Sequence, residues 1–184
     1  MRLFKIQFLL KLKIQIMIIN FIKYSILSLV ISSNVNEMNI VETAVSNENF
    51  STLVAAVQAG ELVDALSSEG PFTVFAPTNE AFENLPDGTL ESLLNPENLE
   101  TLQSILKYHV ISGTYMAEDV VNALNENDGQ FNIETLLGQE LTVKLWEGNV
   151  YLKDANGNKS QIIITDVTTS NGVIHAINNV VLPE

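Results

Sequence analysis

The sequence predicts an α+β domain: helical spacing fills the first half, strand alternation fills the second, and two turn dipeptides fold the strands into hairpins. Phe50, Leu53, Val54 and Val57 stand at i, i+3, i+4 and i+7, the apolar stripe of an amphipathic helix. From Tyr108 onward the period changes to two, and Leu141, Val143 and Leu145 alternate with Thr142, Lys144 and Trp146. Gly148-Asn149 and Asn156-Gly157 mark the hairpins, the second more strongly because both residues tolerate positive φ. Helices first and antiparallel strands second belong to the α+β class.

Taken in order, residues 34–39 are polar and read as a linker, and 40–45 as a helical turn or two. The helix through Phe50–Val57 ends at Gly60, and Leu62, Val63 and Leu66 form a short helix that Ser67–Gly70 breaks. In Pro71-Phe72-Thr73-Val74-Phe75-Ala76-Pro77-Thr78-Asn79-Glu80-Ala81-Phe82, the alternation through Ala76 predicts a strand with at least one buried face. Pro77 has no N–H to donate and stops the ladder. Thr78 follows as helix N-cap, Glu80 suits the positive end of that helix, and Phe82 begins its buried side. Pro86-Asp87-Gly88 is a turn. Asn95-Pro96 supplies a cap and a first-turn proline for a helix carrying Leu99, Leu102, Ile105 and Leu106. Residues 150–153, 161–167 and 173–182 complete the strands.

Three segments carry a resemblance: residues 71–82, the central Ile105-Leu106-Lys107-Tyr108-His109-Val110-Ile111-Ser112-Gly113, and Asn171-Gly172-Val173-Ile174-His175-Ala176-Ile177-Asn178-Asn179-Val180-Val181-Leu182-Pro183. With Phe50-Ser51-Thr52-Leu53 ahead of them, all in order from about residue 39 to residue 182, the chain resembles the fasciclin-type domain. The resemblance implies a wedge of antiparallel strands with helices over one side, in a secreted or cell-surface protein. It marks Phe75, Pro77, Thr78, Phe82, His109, Gly172 and His175 as structural landmarks. No internal repeat is visible, so the chain carries one copy.

Charge divides the chain. Arg2, Lys5, Lys11, Lys13 and Lys23 give residues 1–36 a charge of +5. From Glu37 onward 22 acids face four lysines (Lys107, Lys144, Lys153, Lys159), leaving −18 and so the −13 of the whole. So acidic a body repels a phosphate backbone, and nucleic acid is not an expected partner. There is no cysteine among the 184 residues, which excludes disulfides, thiol catalysis and thiolate metal sites. The 46% hydrophobic content suffices for one core of about 100–150 residues.

Residues 1–36 read as a signal peptide or signal-anchor with its linker, and 37–184 as the domain. Apolar stretches over 14–22 and 24–31 are each shorter than the ~20 residues that span a bilayer, and Ser28, Ser32 and Ser33 supply small residues for cleavage. A start at Met17 makes the signal more compact: Lys23, an apolar run over 24–31, then Ser32-Ser33.

His109 and His175 are the only histidines, each beside apolar residues and without a His-x-His or His-x-x-x-His spacing, so they read as core residues with hydrogen-bonded rings. The resemblance also matches Tyr108-His109 to a tyrosine–histidine pair implicated in integrin binding by animal members, making the two a candidate partner contact. Read as strand residues, they point to opposite faces, so at most one belongs to the core. Ile177-Asn178-Asn179 departs from the Ile-Asp that many members carry. Asp154-Ala155-Asn156-Gly157-Asn158 opens like a calcium loop, but Lys159 and Thr165 occupy its glycine and glutamate positions, and it reads as a hairpin turn. Trp146, the only tryptophan, reads as a cap on the core or, second to that, as one exposed binding spot. No Gly-x-Ser-x-Gly elbow or phosphate loop occurs, and no catalysis, cofactor or metal is expected.

The expected function is a secreted or surface-held adhesion module contacting protein or glycan on a cell surface or matrix, as in biofilm attachment, or another copy of itself. Membrane association is expected only through the N-terminal segment. A carrier of a small apolar ligand is the alternative.

Overall fold

The structure, a computed structural model, describes residues 38–184. The signal-peptide or signal-anchor reading of residues 1–36 and the Met17 start lie outside the described residues.

Helices α1 (Ile40–Val45), α2 (Ser51–Ala59, entered through a 3-10 turn at Glu48–Phe50) and α3 (Val63–Ser67) open the domain. Asn39 starts α1 with a reciprocal cap: its carboxamide accepts from Glu42 N at 2.9 Å while its own N–H donates to Glu42 Oε2 at 2.8 Å. Strand β1 (Phe72–Pro77) leads into α4 (Asn79–Glu83), whose first turn is capped by Thr78 Oγ1 accepting from Ala81 N at 3.4 Å. Next come α5 (Thr89–Leu93), a 3-10 turn at Pro96–Asn98, α6 (Leu99–Tyr108), β2 (Val110–Ser112) and α7 (Ala117–Glu126). Asn95 makes no side-chain cap, contrary to its sequence reading. The rest is β3 (Gln130–Glu134), β4 (Glu140–Trp146), β5 (Asn149–Lys153), β6 (Lys159–Thr169) and β7 (Gly172–Ile177).

The seven strands form one sheet in the order β2-β1-β7-β6-β5-β4-β3. Its pairings are antiparallel except β1 with β7, which run parallel in the register Phe75↔His175 and Pro77↔Ile177. Pro77 therefore remains in the ladder as its last residue, where its missing N–H is tolerated. Strand β6 joins the two halves of the sheet: Lys159–Gln161 pair with β5 while later residues pair with β7 across two register shifts.

β1 and β7 are buried on both faces, as expected where central strands run parallel between two layers. Val74, Ala76, Ile174 and Ala176 meet the helical layer of Ile40, Leu53, Leu102, Ile105 and Leu106. On the other side Phe75 and Ile177 join Tyr108, Leu141, Val143 and Leu152, closed by Val120 and Leu124 of α7. Each such Val, Leu, Ile or Phe side chain contributes about 1.5–3 kcal/mol by leaving water. The β1–β7 approach is so close that a Cβ on Gly172 would lie 2.0 Å from Phe72 O, which only glycine avoids.

Candidate functional site

Three of the residues singled out in sequence, Tyr108, His109 and Phe75, meet at one junction, where α6 ends, β1 passes and the C-terminal segment returns. Tyr108 is the last residue of α6 and His109 its C-cap, with φ −86° and ψ −5°, so neither lies in a strand. The two side chains consequently do not diverge to opposite faces, and both are in the core, at 0% and 3% exposure. This corrects the expectation that at most one is buried. The apolar run continuing into β2 hides the boundary in sequence.

His109 ties three elements together. Its Nδ1 lies 2.8 Å from Ile105 O, a pure acceptor, so Nδ1–H donates there; Nε2 is left to accept from Val181 N at 3.2 Å. Its own carbonyl accepts from Phe75 N at 2.9 Å, attaching β1. Burial drives the imidazole pKa down from 6.5 to about 4, against a weaker opposing effect of the bond to Ile105 O, so the ring is neutral at pH 7. Tyr108 donates its hydroxyl to Glu140 O at 2.9 Å. Burial raises the phenol's pKa, a backbone bond from Ala155 works the other way, and the carboxylates of Asp154 and Glu184 add to the rise.

His175 takes the opposite tautomer. Nε2–H donates to Tyr115 O at 2.7 Å and Nδ1 accepts from Asp166 N at 3.2 Å, with the ring 5.8 Å from that of Phe75. Both nitrogens of both imidazoles are thus committed to backbone groups, leaving neither ring a lone pair for a metal or a proton in transit. Among the described residues, no group of three or more histidines and carboxylates is gathered to hold a metal ion.

The remaining polar residues that sequence singled out are also structural. Asp154 accepts from Asn158 N at 2.8 Å, Asn158 Nδ2 at 3.0 Å and Leu182 N at 3.1 Å, which closes a hairpin and ties down the C-terminal segment. Asn178 accepts from Gln161 N at 2.7 Å, while Asn179 donates from its backbone to Ser160 Oγ at 3.0 Å. Asparagine at the departure from the usual Ile-Asp therefore serves as a latch.

Three supports went unrecognised in the sequence. Asp166, at φ +60°, accepts from Ala117 N at 2.7 Å and so caps α7 from 49 positions away. Asn171 donates to Leu66 O and Ser68 O and accepts from Ile40 N, binding α1 and α3 to the turn before β7. Thr73 donates to Gly113 O and accepts from Tyr115 N. Only the turn-forming Asn171-Gly172 pair carried a local signal. Trp146 does not cap the core; it is 44% exposed on the outer sheet surface, the second of its two sequence readings.

The sequence matches the Fasciclin domain family over residues 48–183. The chain belongs to that family. Similar proteins include Protein sll1483 of Synechocystis, 52% identical over 79% of this chain and 74% of that protein. Immunogenic protein MPB70 of Mycobacterium bovis is 36% identical over 76% of this chain and 66% of its own length. Transforming growth factor-beta-induced protein ig-h3 of Sus scrofa is 38% identical over 74% of this chain, which spans only 18% of that longer protein. The structure is similar to a FAS1 domain pair from the insect cell adhesion molecule Fasciclin I, with a TM-score of 0.70 over 80% of this chain and 52% of that one; at 20% identity this likeness concerns the fold. In this fasciclin domain the junction of Tyr108, His109 and Phe75 is a structural keystone, and no helix of the described residues is long and apolar enough to cross a membrane.

Proposed function

We propose that this fasciclin domain works outside the cell as a non-catalytic adhesion module, exported or anchored through residues 1–36, and that it binds protein or glycan on a cell surface or matrix through its exterior. The observation that carries this reading is the commitment of the interior: the imidazoles have no free nitrogen, and the buried side-chain polar atoms all have partners among the described residues. What is left to meet a partner is the sheet surface and loops. Tyr108 and His109 serve that role indirectly, by holding the corner between α6 and β1 rigid beneath the surface.

The carrier alternative calls for room inside. The apolar cavity under α1 and α2, lined by Ile40, Val54, Val57, Leu66, Val74 and His109, holds about 30 Å³, room for a water or two and far below a lipid or pigment. A roomier hollow of about 410 Å³ is a cleft where Asn84, Asn158, Lys159 and Asn179 share the lining with Leu85 and Val180. Two measurements test the reading. Beads coated with the full-length protein should aggregate with, or attach to, cells and matrix of the producing organism, and coated beads no stickier than uncoated ones would refute adhesion. Native mass spectrometry of protein purified from its source should show the bare polypeptide; a co-purifying apolar molecule would favour carriage. N-terminal sequencing of the same material checks export and the start at Met17.

A further inference from the structure

The outer face of β4, β5 and β6 concentrates what the rest of the domain lacks. Residues 38–184 hold 21 acids and four lysines, yet three of those lysines, Lys144, Lys153 and Lys159, stand on this one face with Trp146 and Tyr151. The register puts Lys144 opposite Tyr151 and Lys153 directly opposite Lys159. Like charges facing each other across a ladder destabilise it, and placing scarce lysines that way costs less when an anion lies over them. The acids near this face lie at its margins: Glu134 is opposite Glu140 at the β3 border, Glu147 sits in the turn after β4, and Glu184 lines a cleft with Glu140 and Lys153. The face is therefore polarised, basic along β5 and β6.

Trp146 gives the basic side a second property. Its indole lies 5.6 Å from the Tyr151 ring, and Lys159 Nζ stands 3.8 Å from its centroid, so ring and ammonium form one unit spanning β4 to β6. A large aromatic left exposed on a flat surface beside fixed polar groups suits a ligand with one apolar face and a polar rim. Thr142 and Gln161 supply those polar groups: the Thr142 hydroxyl donates to Asn132 Oδ1 at 3.0 Å, and Tyr151 OH donates to Gln161 Oε1 at 3.4 Å. A pyranose ring has such faces, its axial C–H bonds on one side and hydroxyls around the edge. A carboxylate on that ring would fall within reach of the ammonium already poised at the indole.

We propose that this face binds an acidic polysaccharide, a polymer of uronic-acid sugars, with Trp146 stacking a sugar ring and Lys144, Lys153 and Lys159 meeting its carboxylates. The proposal rests on the adhesion reading and names its partner. Charge selects the class: the face complements an anion, and a polyuronate, with one carboxylate per sugar, carries its charges more widely spaced than a nucleic-acid duplex, so it suffers less repulsion from the acidic remainder than a duplex does.

Because Trp146 is the only tryptophan, its emission reports on the site directly. Full-length protein is titrated with polygalacturonate, with neutral dextran, with vesicles containing phosphatidylglycerol, and with single-stranded DNA. Expected is a saturable change in tryptophan emission, and retardation in gels cast with polygalacturonate, weakening as salt is raised and absent with dextran. Lys153→Gln with Lys159→Gln, and separately Trp146→Ala read by gel retardation, should each weaken binding by about tenfold or more with an unchanged circular dichroism spectrum. No response to polygalacturonate, a response equal in the variants, or tighter binding to the vesicles or DNA overturns the proposal. The bead assay separates the two levels: adhesion that persists in the lysine and tryptophan variants sinks the glycan site and spares the adhesion module, whereas beads that never adhere sink the module.

Discussion

Acidifying the solution from pH 7 to pH 5 should weaken this domain through the imidazole of His109. In the folded protein burial holds its pKa at about 4, against an ordinary 6.5. Between those values the unfolded chain binds a proton that the folded one refuses, so stability rises with pH across the window and falls as pH drops through it. One decade of proton affinity is worth about 1.4 kcal/mol, so the loss is about 2 kcal/mol between pH 7 and pH 5 and about 3 kcal/mol once below pH 4. The structural cause is specific: a proton on Nε2 turns the acceptor for Val181 N into a second donor, leaving two donors face to face 3.2 Å apart. Urea unfolding at half-unit steps from pH 7.5 to 4.5 measures the effect, with His109→Gln as reference, because glutamine keeps an acceptor for Val181 N but does not titrate. The difference between the two proteins isolates His109, since the carboxylates and His175 are common to both. A difference that changes by less than about 0.5 kcal/mol between pH 7 and 5, where about 2 kcal/mol is expected, would refute the claim that the ring is held neutral.

Other perturbations probe neighbouring supports. Tyr108→Phe removes the hydroxyl bond to Glu140 O and leaves that carbonyl short of a partner, so urea denaturation should show a loss of about 1 kcal/mol with the fold intact. Gly172→Ala drives a methyl group into Phe72 O and should cost at least about 3 kcal/mol or abolish folding, read from soluble yield and thermal unfolding. Asp166→Ala uncaps α7 and places alanine at positive φ; it should cost about 1–2 kcal/mol, whereas Asp166→Asn, which keeps an acceptor and tolerates that backbone, should cost less. Amide exchange along 117–126 should quicken in the alanine variant first.

What sequence made legible was whatever is encoded locally. Thr78 caps its helix because the acceptor and the N–H it serves are three positions apart, and Asn156-Gly157 turns the chain because its own backbone permits it. Apolar spacing likewise revealed α2, α6 and the hairpin strands. The failures are non-local or sit at boundaries. Ala117, Val120, Val121 and Leu124 do have helical spacing, but Met116 offers no ordinary side-chain cap; Asp119 accepts from Met116 N at 2.9 Å, and the acceptor for Ala117 N comes from Asp166 on β6. Tyr108-His109 looks like strand in sequence because helix end and strand start share one apolar run, and only packing shows that both residues point inward. The pairing of β1 with β7 joins segments about a hundred residues apart, and no periodicity records which strand lies beside which. At the candidate surface the lysines were countable in sequence, while their gathering on one face depended on the register of β4, β5 and β6.

Salt separates the two kinds of contact this domain is suited to make. Copies of so acidic a molecule repel one another, so self-association should strengthen as ions screen that repulsion, most of all with calcium, which can sit between carboxylates. Attachment of a polyuronate to the lysine face should weaken under the same screening, because there the charges attract. At physiological ionic strength the screening length is about 8 Å, shorter than the domain, so the basic face acts largely independently of acids on the far side. A single shallow face with one tryptophan gives modest affinity, and lasting attachment then comes from many copies engaging one polymer. A repeating polymer answers that need, since each added sugar unit offers the next copy the same site.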